Sequence, residues 1–393
     1  MEVILPNGSV FRTGGGPPNL KTWNTYKWGT GPYLDGLFVQ SNLGIVTRAG
    51  IWLMPEPEDF RSFLFELRDE KKLPSVIDAI RNLMLQHALQ NAIHASNDIV
   101  TFAIVTQYLR DARPGTTCLS EVRRAELRKK YGVAPWSFGG GLYGSTAQVR
   151  LHQRLLKRTL SRYGKLTFLS DRDIGNLQRV IRLWKRLRTI PFLTAIMNAS
   201  ARYLVGKSFE LIEAAPSAHA MMKGIPGEYF VRHAYFKAAR PKPDIDIDPV
   251  RDQCGLIWFA PMTPMTGPHI TEILALCRPL FKKYQFDFYF VLLVKNARSM
   301  IALMSIFYRR EEPDEVIRAG ALYRELCAMT LAAGYQQYRA AVPSMEHILT
   351  CAPEFQQFAN LIKAAVDPEN ILAPGRYGVG TTKEAVTDRA MPA

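Results

Sequence analysis

Two apolar runs in the second half of the chain constrain its fold more than any other feature. They span residues 286–294 and 299–308, are rich in β-branched and aromatic side chains, and have the length of strands. Neither approaches the roughly 18 uncharged apolar residues of a membrane-spanning helix. Helical patterns at 269–283 and 313–333 flank them. This order implies strand-helix-strand units with antiparallel neighbours, and therefore an α+β fold.

A second block of the same kind lies upstream. A strand is predicted at 62–67 and a helix at 73–90, followed by a helix-rich stretch to Tyr131. Beyond that point the pattern predicts strand 136–143, helix 146–163, strand 165–169 and helix 171–187. The upstream half is therefore expected to be α+β as well.

The two ends of the chain carry shorter elements. Residues 2–12 alternate around Pro6-Asn7-Gly8, a sequence that readily forms a tight hairpin turn. An isolated hairpin is marginal in water, so these strands are expected to join a sheet with strands from elsewhere. The glycine cluster at 14–16 is interpreted as a plain turn, because no helix follows it to bind a phosphate. Near the other end, the helix predicted at 353–366 ends before Pro368.

Length and composition bound the class of protein. The 393 residues, 47% of them hydrophobic, suffice for two domains or for one domain with a large insertion. The first residues lack the pattern of a signal peptide. The cysteines form no Cys-x-x-Cys pair, which argues against a disulfide framework or a structural zinc site and favours a reduced, cytoplasmic setting. They are Cys118, Cys254, Cys277, Cys327 and Cys351.

Much of the net charge of +15 comes from residues 150–188. The basic residues recur at helical spacing between apolar ones such as Leu156 and Ile181, which favours solvated faces of two amphipathic helices. A nucleic-acid surface is a weaker alternative. An acidic redox partner steered to this surface is another. The basic residues are Arg154, Lys157, Arg158, Arg162, Lys165, Arg179, Arg182, Lys185, Arg186 and Arg188.

Several stretches together resemble a known family. Residues 31–47 begin Gly31-Pro-Tyr-Leu-Asp and end Gly-Ile-Val-Thr, residues 50–55 read Gly-Ile-Trp-Leu-Met-Pro, and residues 367–376 read Asp-Pro-Glu-Asn-Ile-Leu-Ala-Pro-Gly-Arg. Tyr338 and Arg339 place a phenol beside a guanidinium after a predicted helix. With these residues the chain resembles the vanillyl-alcohol oxidase and 4-cresol dehydrogenase family of FAD-linked oxidases, from its first residue to about residue 379.

The resemblance implies an α+β architecture with two parts. One is a FAD-linked oxidase cap domain, a ferredoxin-like antiparallel sheet with helices, and the other is part of the flavin-binding domain. Residues 1–58 are expected to be the C-terminal part of the FAD-binding domain and 59–340 the cap, or substrate, domain. Residues 341–380 are expected to return to the FAD domain, and 381–393 to form a disordered tail.

The resemblance also implies an FAD-dependent oxidoreductase acting on 4-alkylphenols or 4-hydroxybenzylic alcohols. Hydride leaves the benzylic carbon more readily when the phenol is ionised, because the remaining electrons delocalise into a quinone methide. Tyr338 and Arg339 occupy the family's phenolate-binding position, where a hydroxyl donor and a fixed positive charge favour the ionised phenol. Alone, the pair would be interpreted as a solvated dipeptide. Oxygen or a cytochrome is expected to reoxidise the flavin, and a homodimer is expected.

The strand predicted at 255–261 resembles the one on which several relatives carry a covalent flavin link. Leu256 stands at that position and has no nucleophile, so FAD is expected to be held non-covalently. Trp258 is expected to bind the substrate ring, with a place in the core as the alternative. Asp252 is expected to accept a proton or to position water, with a loop acid that balances Arg251 as the alternative.

The other candidate residues follow from the resemblance alone. Oxidase-like relatives carry a histidine pair near Met300 and Ile301, and neither residue here can act as an acid or base. Met300 and Ala302 are expected to contact the substrate. Arg376 is expected to close the C-terminal flavin contact, with a solvent-facing arginine as the alternative. The expected cofactor-binding residues are Ser41, Asn42, Gly44, Ile45, Val46, Leu256, Arg339 and Arg376.

Some family features correspond to sequence before Met1. They are the phosphate-binding loop, a second phenolate-binding tyrosine and an acidic residue beside the reactive nitrogen of the flavin. Tight FAD binding by this chain alone is therefore not expected. The alternative to an enzyme is a truncated, non-catalytic remnant, or a subunit that needs a separate N-terminal FAD-binding half.

Overall fold

The computed structural model describes residues 1–14, 20–22, 25–26, 28–29, 31–90, 92–108, 117–187, 189–243, 246–345 and 352–380. Most of the predicted glycine turn, Cys351, Arg188 and the predicted tail at 381–393 lie outside the described residues. The chain divides into two compact units. One comprises Met1–Glu56 with Arg339–Ala393, and the other is Pro57–Tyr338.

The smaller unit contains a three-stranded antiparallel sheet formed by β1 (Glu2–Ile4), β2 (Val10–Arg12) and β3 (Ile45–Arg48) in the order β2-β1-β3. The predicted hairpin is β1–β2. As expected from the marginal stability of an isolated hairpin, a strand from farther along the chain pairs with it.

The larger unit contains an eight-stranded antiparallel sheet. The strands run in the order β7-β4-β6-β5-β10-β11-β8, and β9 pairs with β11 beside β8. They are β4 (Asp59–Leu67), β5 (Ile93–Asn97), β6 (Trp136–Gly144), β7 (Gly164–Ser170), β8 (Gly255–Phe259), β9 (Met262–Pro264), β10 (Tyr289–Asn296) and β11 (Ser299–Tyr308). The predicted α+β class is confirmed.

Helices pack on both faces of this sheet, and none among the described residues is both long and apolar enough to cross a membrane. In the larger unit they are α1 (Leu73–Leu85), α2 (Asp98–Val105), α3 (Glu121–Tyr131), α4 (Thr146–Leu160), α5 (Asp171–Leu187), α6 (Pro191–Val205), α7 (Phe209–Met222), α8 (Gly267–Lys283) and α9 (Pro313–Ala332). The smaller unit contains α10 (Pro353–Val366).

The larger sheet separates two hydrophobic cores. On one face α1, α4, α8 and α9 cover a core that includes the fully buried rings of Phe65, Phe138 and Phe290. On the other face, around β10 and β11, α2 and α3 cover a smaller core that includes Phe102 and Phe236. Because side chains alternate along each strand, the two cores take alternate residues of β10 and β11.

Two sequence predictions differ from the structure for local reasons. The helix predicted at 73–90 ends at Leu85, since His87 takes a left-handed backbone conformation with φ 56°. The strand predicted at 255–261 stops at Phe259, before Pro261, which has no N–H to donate to a neighbouring strand. The strand β5 was not predicted, and it lies inside the stretch interpreted as helix-rich.

Asp98 links α2 to α3 through a buried ion-pair network. Its fully buried carboxylate accepts bonds from the guanidinium groups of Arg124 at 2.6 Å and Arg128 at 2.7 Å. We expect Asp98→Ala to lower the free energy of unfolding by about 3–5 kcal/mol, because it removes the buried anion shared by two partly buried guanidinium groups and leaves Arg124 only its bond to the exposed Glu121. Thermal or denaturant unfolding measures this loss.

The matched control is an exposed pair of the same chemistry. Asp314, whose side chain is 81% exposed, lies 2.7 Å from Arg318 on α9. Asp314→Ala is expected to cost less than about 1 kcal/mol, as exposed pairs do. Equal losses in the two variants would contradict a structural role for the buried network.

Candidate functional site

The register of β8 against β11 decides which side chains share a surface. Leu256 lies opposite Phe307 and Trp258 opposite Ser305, so these four side chains face the same way. Ile257 and Phe259, the next residue on the same side of β8, face the other way, into the core covered by α1, α4, α8 and α9. Trp258 is 55% exposed, which excludes the alternative that it belongs to the core.

Trp258 belongs to a group of aromatic side chains on that surface, with His233 at its centre. The imidazole of His233 stacks on the Trp258 ring, with centroids 6.5 Å apart and planes 18° apart. It also stacks on Tyr289 at 5.9 Å and meets Phe307 edge-on at 5.9 Å. We call His233, Trp258, Tyr289 and Phe307 the aromatic group. A partly exposed indole backed by stacked rings is a suitable surface for a flat aromatic ligand.

His233 is fixed in orientation and in charge. Its Nδ1 lies 2.5 Å from the carbonyl oxygen of Phe230, so Nδ1 carries the proton and donates it there. Burial holds the pKa of His233 below its ordinary value, and the positive charge of Lys242 adds to this, while the bond to Phe230 opposes it. The ring is therefore neutral at physiological pH, and its Nε2 is an acceptor.

Asp252 is held by two neighbours just before β8. Arg251 Nε lies 3.2 Å from one carboxylate oxygen, and the hydroxyl of Tyr235 donates to the other at 2.5 Å. These bonds, that from Arg251 first, hold the pKa of the Asp252 carboxyl below its usual range. Asp252 thus balances Arg251, as in the alternative interpretation, and it is also ordered by a tyrosine.

Met300 and Ala302 are not brought together with Trp258. Both are fully buried in the core under α8 and α9, on the face opposite the aromatic group. The register explains this placement, because Met300 and Ala302 alternate with Ile301 along β11. The expectation that they contact the substrate does not fit this structure, and their position corrects it.

Tyr338 lies at the edge of the sheet next to β8. Its backbone N–H donates to the carbonyl oxygen of Ala260 at 2.7 Å, and Gln337 forms an antiparallel bridge with Pro261. Pro261 in turn accepts a bond from Ala302 N–H at 2.8 Å. The Tyr338 side chain is 47% exposed. The structure thus places the Tyr338 backbone two residues along from Trp258, whereas Arg339 begins the second segment of the smaller unit.

In the smaller unit, several residues expected to bind the cofactor have structural contacts instead. The buried amide of Asn42 donates to the carbonyl oxygens of Ala373 and Val379, both at 3.0 Å. The Ser41 hydroxyl donates to Leu37 O at 2.5 Å. A Cβ at Gly44 would lie 2.5 Å from a Val3 side-chain carbon, so glycine is needed there for packing against β1.

The remaining cofactor candidates of this unit are more accessible. Ile45 and Val46 on β3 are 56% and 40% exposed. The Arg376 guanidinium lies over the Tyr377 ring, 4.7 Å from its centroid. The side chains of Ile45, Val46 and Arg376, unlike those of Asn42 and Ser41, are not engaged in buried hydrogen bonds.

Leu256 is partly buried between the aromatic group and a small core that includes Tyr235. The nearest nucleophile along the chain is Cys254, and burial raises the pKa of its thiol to about 11. The thiol is therefore protonated and unreactive near neutral pH. Among the described residues, no cluster of three or more metal-ligating side chains is present.

His233, Tyr235 and Tyr289 were missed by the sequence reasoning. A signal existed in residues 229–236, where aromatic residues surround His233 in the sequence shortly before the proline-rich stretch 239–249. This segment forms a 3-10 helix, Tyr229–Tyr235, that lies against β8 and α2. Only the tertiary contact of that helix with β8 reveals that it shares a surface with Trp258.

No family model matches the chain. Curated relatives do match it along almost its whole length. A 1'-carboxy-chondrochloren decarboxylase of Chondromyces crocatus is 36% identical over 380 residues, which is 96% of this chain and 67% of the relative. The flavoprotein subunit of a hydroxylating 4-cresol dehydrogenase of Pseudomonas putida is 29% identical over 383 residues, which is 96% of this chain and 64% of the relative.

Solved structures match with similar coverage. A p-cresol methylhydroxylase with bound substrate has a TM-score of 0.78 and 27% identity, over 96% of this chain and 64% of that one. A 4-ethylphenol oxidase from Gulosibacter chungangensis has a TM-score of 0.77 and 22% identity, over 96% and 65%. The second shows likeness of fold alone. The chain thus spans about two thirds of the length of the proteins it matches.

The lowered pKa of His233 predicts how stability depends on pH. Histidine has an ordinary pKa of 6.5, so below pH 6.5 His233 binds a proton in the unfolded chain but not in the folded chain. The free energy of unfolding therefore decreases as the pH falls from 6.5 toward the lower pKa of folded His233. We expect His233→Gln to lose less stability than the natural chain between about pH 7 and pH 5. Thermal unfolding at a series of pH values measures the difference, and parallel curves would contradict a neutral, buried His233.

Proposed function

This chain belongs to the vanillyl-alcohol oxidase and 4-cresol dehydrogenase family of FAD-linked oxidoreductases, and from that premise we propose that it oxidises para-substituted phenols. The family assignment made from the sequence is thereby confirmed. The proposed substrates are 4-alkylphenols or 4-hydroxybenzylic alcohols. Their oxidation would proceed by hydride transfer from the benzylic carbon to FAD, through a quinone methide.

The placement of Tyr338 carries this proposal. The tyrosine that the resemblance assigns to phenolate binding has its backbone bonded at the sheet edge, close along that edge to the exposed Trp258. Tyr338 would donate a hydrogen bond to the substrate oxygen, and Arg339 would supply the positive charge that favours ionisation. Trp258, backed by His233, would bind the ring.

FAD fits the chemistry of the residues that the chain offers it. Ile45 and Val46 present exposed apolar side chains, and Arg339 would place a cation toward an electron-rich ring edge. When bound, FAD would accept the hydride. Leu256 has no atom for a covalent bond and Cys254 is protonated, so we propose that the cofactor is held non-covalently. Arg376 remains a proposed contact.

Asp252 is proposed to handle the proton or the water that follows hydride loss. As a carboxylate it can accept a hydrogen bond from water, and the bond from Tyr235 fixes one of its oxygens. The other oxygen is shared with Arg251. A carboxylate with a lowered pKa is a weak base. We therefore propose that Asp252 orients the water molecule rather than removing a proton from it.

We also propose that a separate protein accepts the electrons from the flavin. The 4-cresol dehydrogenase relative is named as a flavoprotein subunit, which favours a separate protein, such as a cytochrome, over oxygen. A homodimer of this chain stays a prediction from the resemblance.

A second candidate activity follows from the more identical of the two curated relatives. That protein is named a decarboxylase, so we also propose phenols with a carboxylate on the side chain as substrates. The same phenolate-binding residues would serve both activities. Assays of 4-alkylphenols for oxidation and of side-chain carboxylated phenols for carbon dioxide release distinguish them.

Cofactor binding gives the first test. Purified protein is mixed with FAD, freed of excess flavin by gel filtration and examined by visible absorption. Any flavin that the protein retains is expected to be released into the supernatant on acid precipitation, because Leu256 cannot form a covalent bond. Flavin that stays with the precipitate would contradict the non-covalent assignment. Colourless protein would favour the alternative of a non-catalytic remnant or a subunit that needs a separate FAD-binding half.

Substrate ionisation gives the second test. In flavin-loaded protein, Tyr338→Phe is expected to lower the rate of flavin reduction by a 4-alkylphenol by about 10²-fold, because it removes one hydrogen-bond donor to the developing phenolate. Anaerobic reduction of the flavin, followed by its absorption, measures the rate. Tyr203→Phe is the matched control, since that phenol is 90% exposed on α6, and it should leave the rate unchanged. Equal rates for the natural protein and Tyr338→Phe would refute the assignment.

A further inference from the structure

The larger sheet ends in a strongly basic edge. β7 is the outermost strand at this end of the sheet, α4 leads into it, and α5 follows it directly. Each of these elements carries exposed cations, while the only acids between residues 146 and 187 are Asp171 and Asp173. We call this surface the basic edge. Its members are Arg150, Arg154, Lys157, Arg158, Arg162, Lys165, Arg172, Arg179, Arg182 and Arg186.

The two acids of the stretch do not neutralise the basic edge. Asp171 is paired with His219 at 3.0 Å and with Lys223 at 2.9 Å, both on or just after α7. Asp173 accepts bonds from the backbone and hydroxyl of Ser170 at the start of α5. Among the described residues, the cations of the basic edge form no ion pair. The neighbouring Lys185, by contrast, is paired with Glu213 at 2.6 Å.

The spacing of these cations is unfavourable for an isolated chain. Arg150, Arg154 and Arg158 follow one another four residues apart along α4, and Arg182 and Arg186 are four apart on α5. Like charges at this spacing repel on a helix surface. Buried apolar residues already fix both helices to the protein, for example Leu156 on α4 and Ile181 on α5. Folding therefore does not account for the charge, whereas an anionic partner would.

The chemistry between the cations favours a protein over a nucleic acid. Exposed aliphatic side chains lie among them, with Leu151 at 47%, Val180 at 47% and Leu183 at 53% exposure. Such side chains suit the apolar part of a protein interface. The aromatic rings of the region are not available for stacking on nucleic-acid bases, since Arg162 covers Tyr163 and Trp184 stacks on Phe209.

We propose that the basic edge is the docking surface for an acidic protein. Opposite charges would steer the partner to α4, β7 and α5, and the aliphatic side chains between the cations would then be covered. The inference is independent of the proposed reaction, because it rests on charge and exposure at the outer end of the sheet.

The test measures binding with probes of opposite charge. An acidic and a basic c-type cytochrome of similar size are titrated against the protein in about 0.15 M salt, where distant charges are screened. A DNA duplex of about 20 base pairs and phosphatidylserine vesicles are titrated in parallel. The variant R154E/K157E/R158E reverses three charges of the basic edge. The matched control, K282E/K295E/R310E, reverses three exposed cations elsewhere.

We expect the acidic cytochrome alone to bind, with an affinity that falls at least about tenfold in R154E/K157E/R158E and less than about twofold in K282E/K295E/R310E. Unchanged melting temperatures in both variants exclude misfolding. The proposal is overturned if the acidic cytochrome does not bind, if both variants weaken it equally, or if DNA or vesicles bind more tightly than the acidic cytochrome. None of these binding measurements needs flavin or turnover. A negative result would therefore contradict the docking surface without bearing on the proposed reaction.

Discussion

The pairing of β8 with β11 is the constraint on which the candidate site depends. With Leu256 opposite Phe307, the odd-numbered neighbours Ile257 and Phe259 fill the core under α8 and α9, and Leu256 and Trp258 lie on the face that carries the aromatic group. A slip of one residue would exchange the two sets and bury an indole where the core holds Ile257. Because the buried set is apolar and well packed, the register is strongly specified by burial, and the exposed position of Trp258 follows from it.

The edge next to β8 is where the sheet stops being regular. Pro261 has no N–H to donate, yet its carbonyl oxygen accepts from Ala302 and Gln337 pairs with it from the other side. The chain therefore changes from β8 to β9 at this point while the segment before Tyr338 is held against it. The backbone bond of Tyr338 fixes the position from which its side chain extends, which is one requirement for a pre-organised hydrogen-bond donor.

The sequence allowed the class of fold to be predicted, because strand and helix periodicity are local properties. It did not allow β5 to be found, since Ile93–Asn97 has little β-branched character and is a strand only because β6 and β10 pair with it. The same limit explains Met300, Ala302 and His233. Which face a strand residue takes, and which loop meets that face, depend on pairings distant in sequence, and a motif match cannot supply them.

The residues that identify the family and those that would choose a substrate are largely different sets. In the smaller unit, the buried ammonium of Lys363 donates to Asn42 O at 2.9 Å, Asp367 at 2.6 Å and Leu372 O at 2.8 Å, which uses all its protons. These contacts tie the two most recognisable stretches to each other, so sequence likeness there reflects packing. Substrate choice would depend on exposed side chains such as Tyr338 and Trp258, which folding leaves free to change. Strong family membership is therefore compatible with both a 4-cresol dehydrogenase and a decarboxylase among the relatives of this chain.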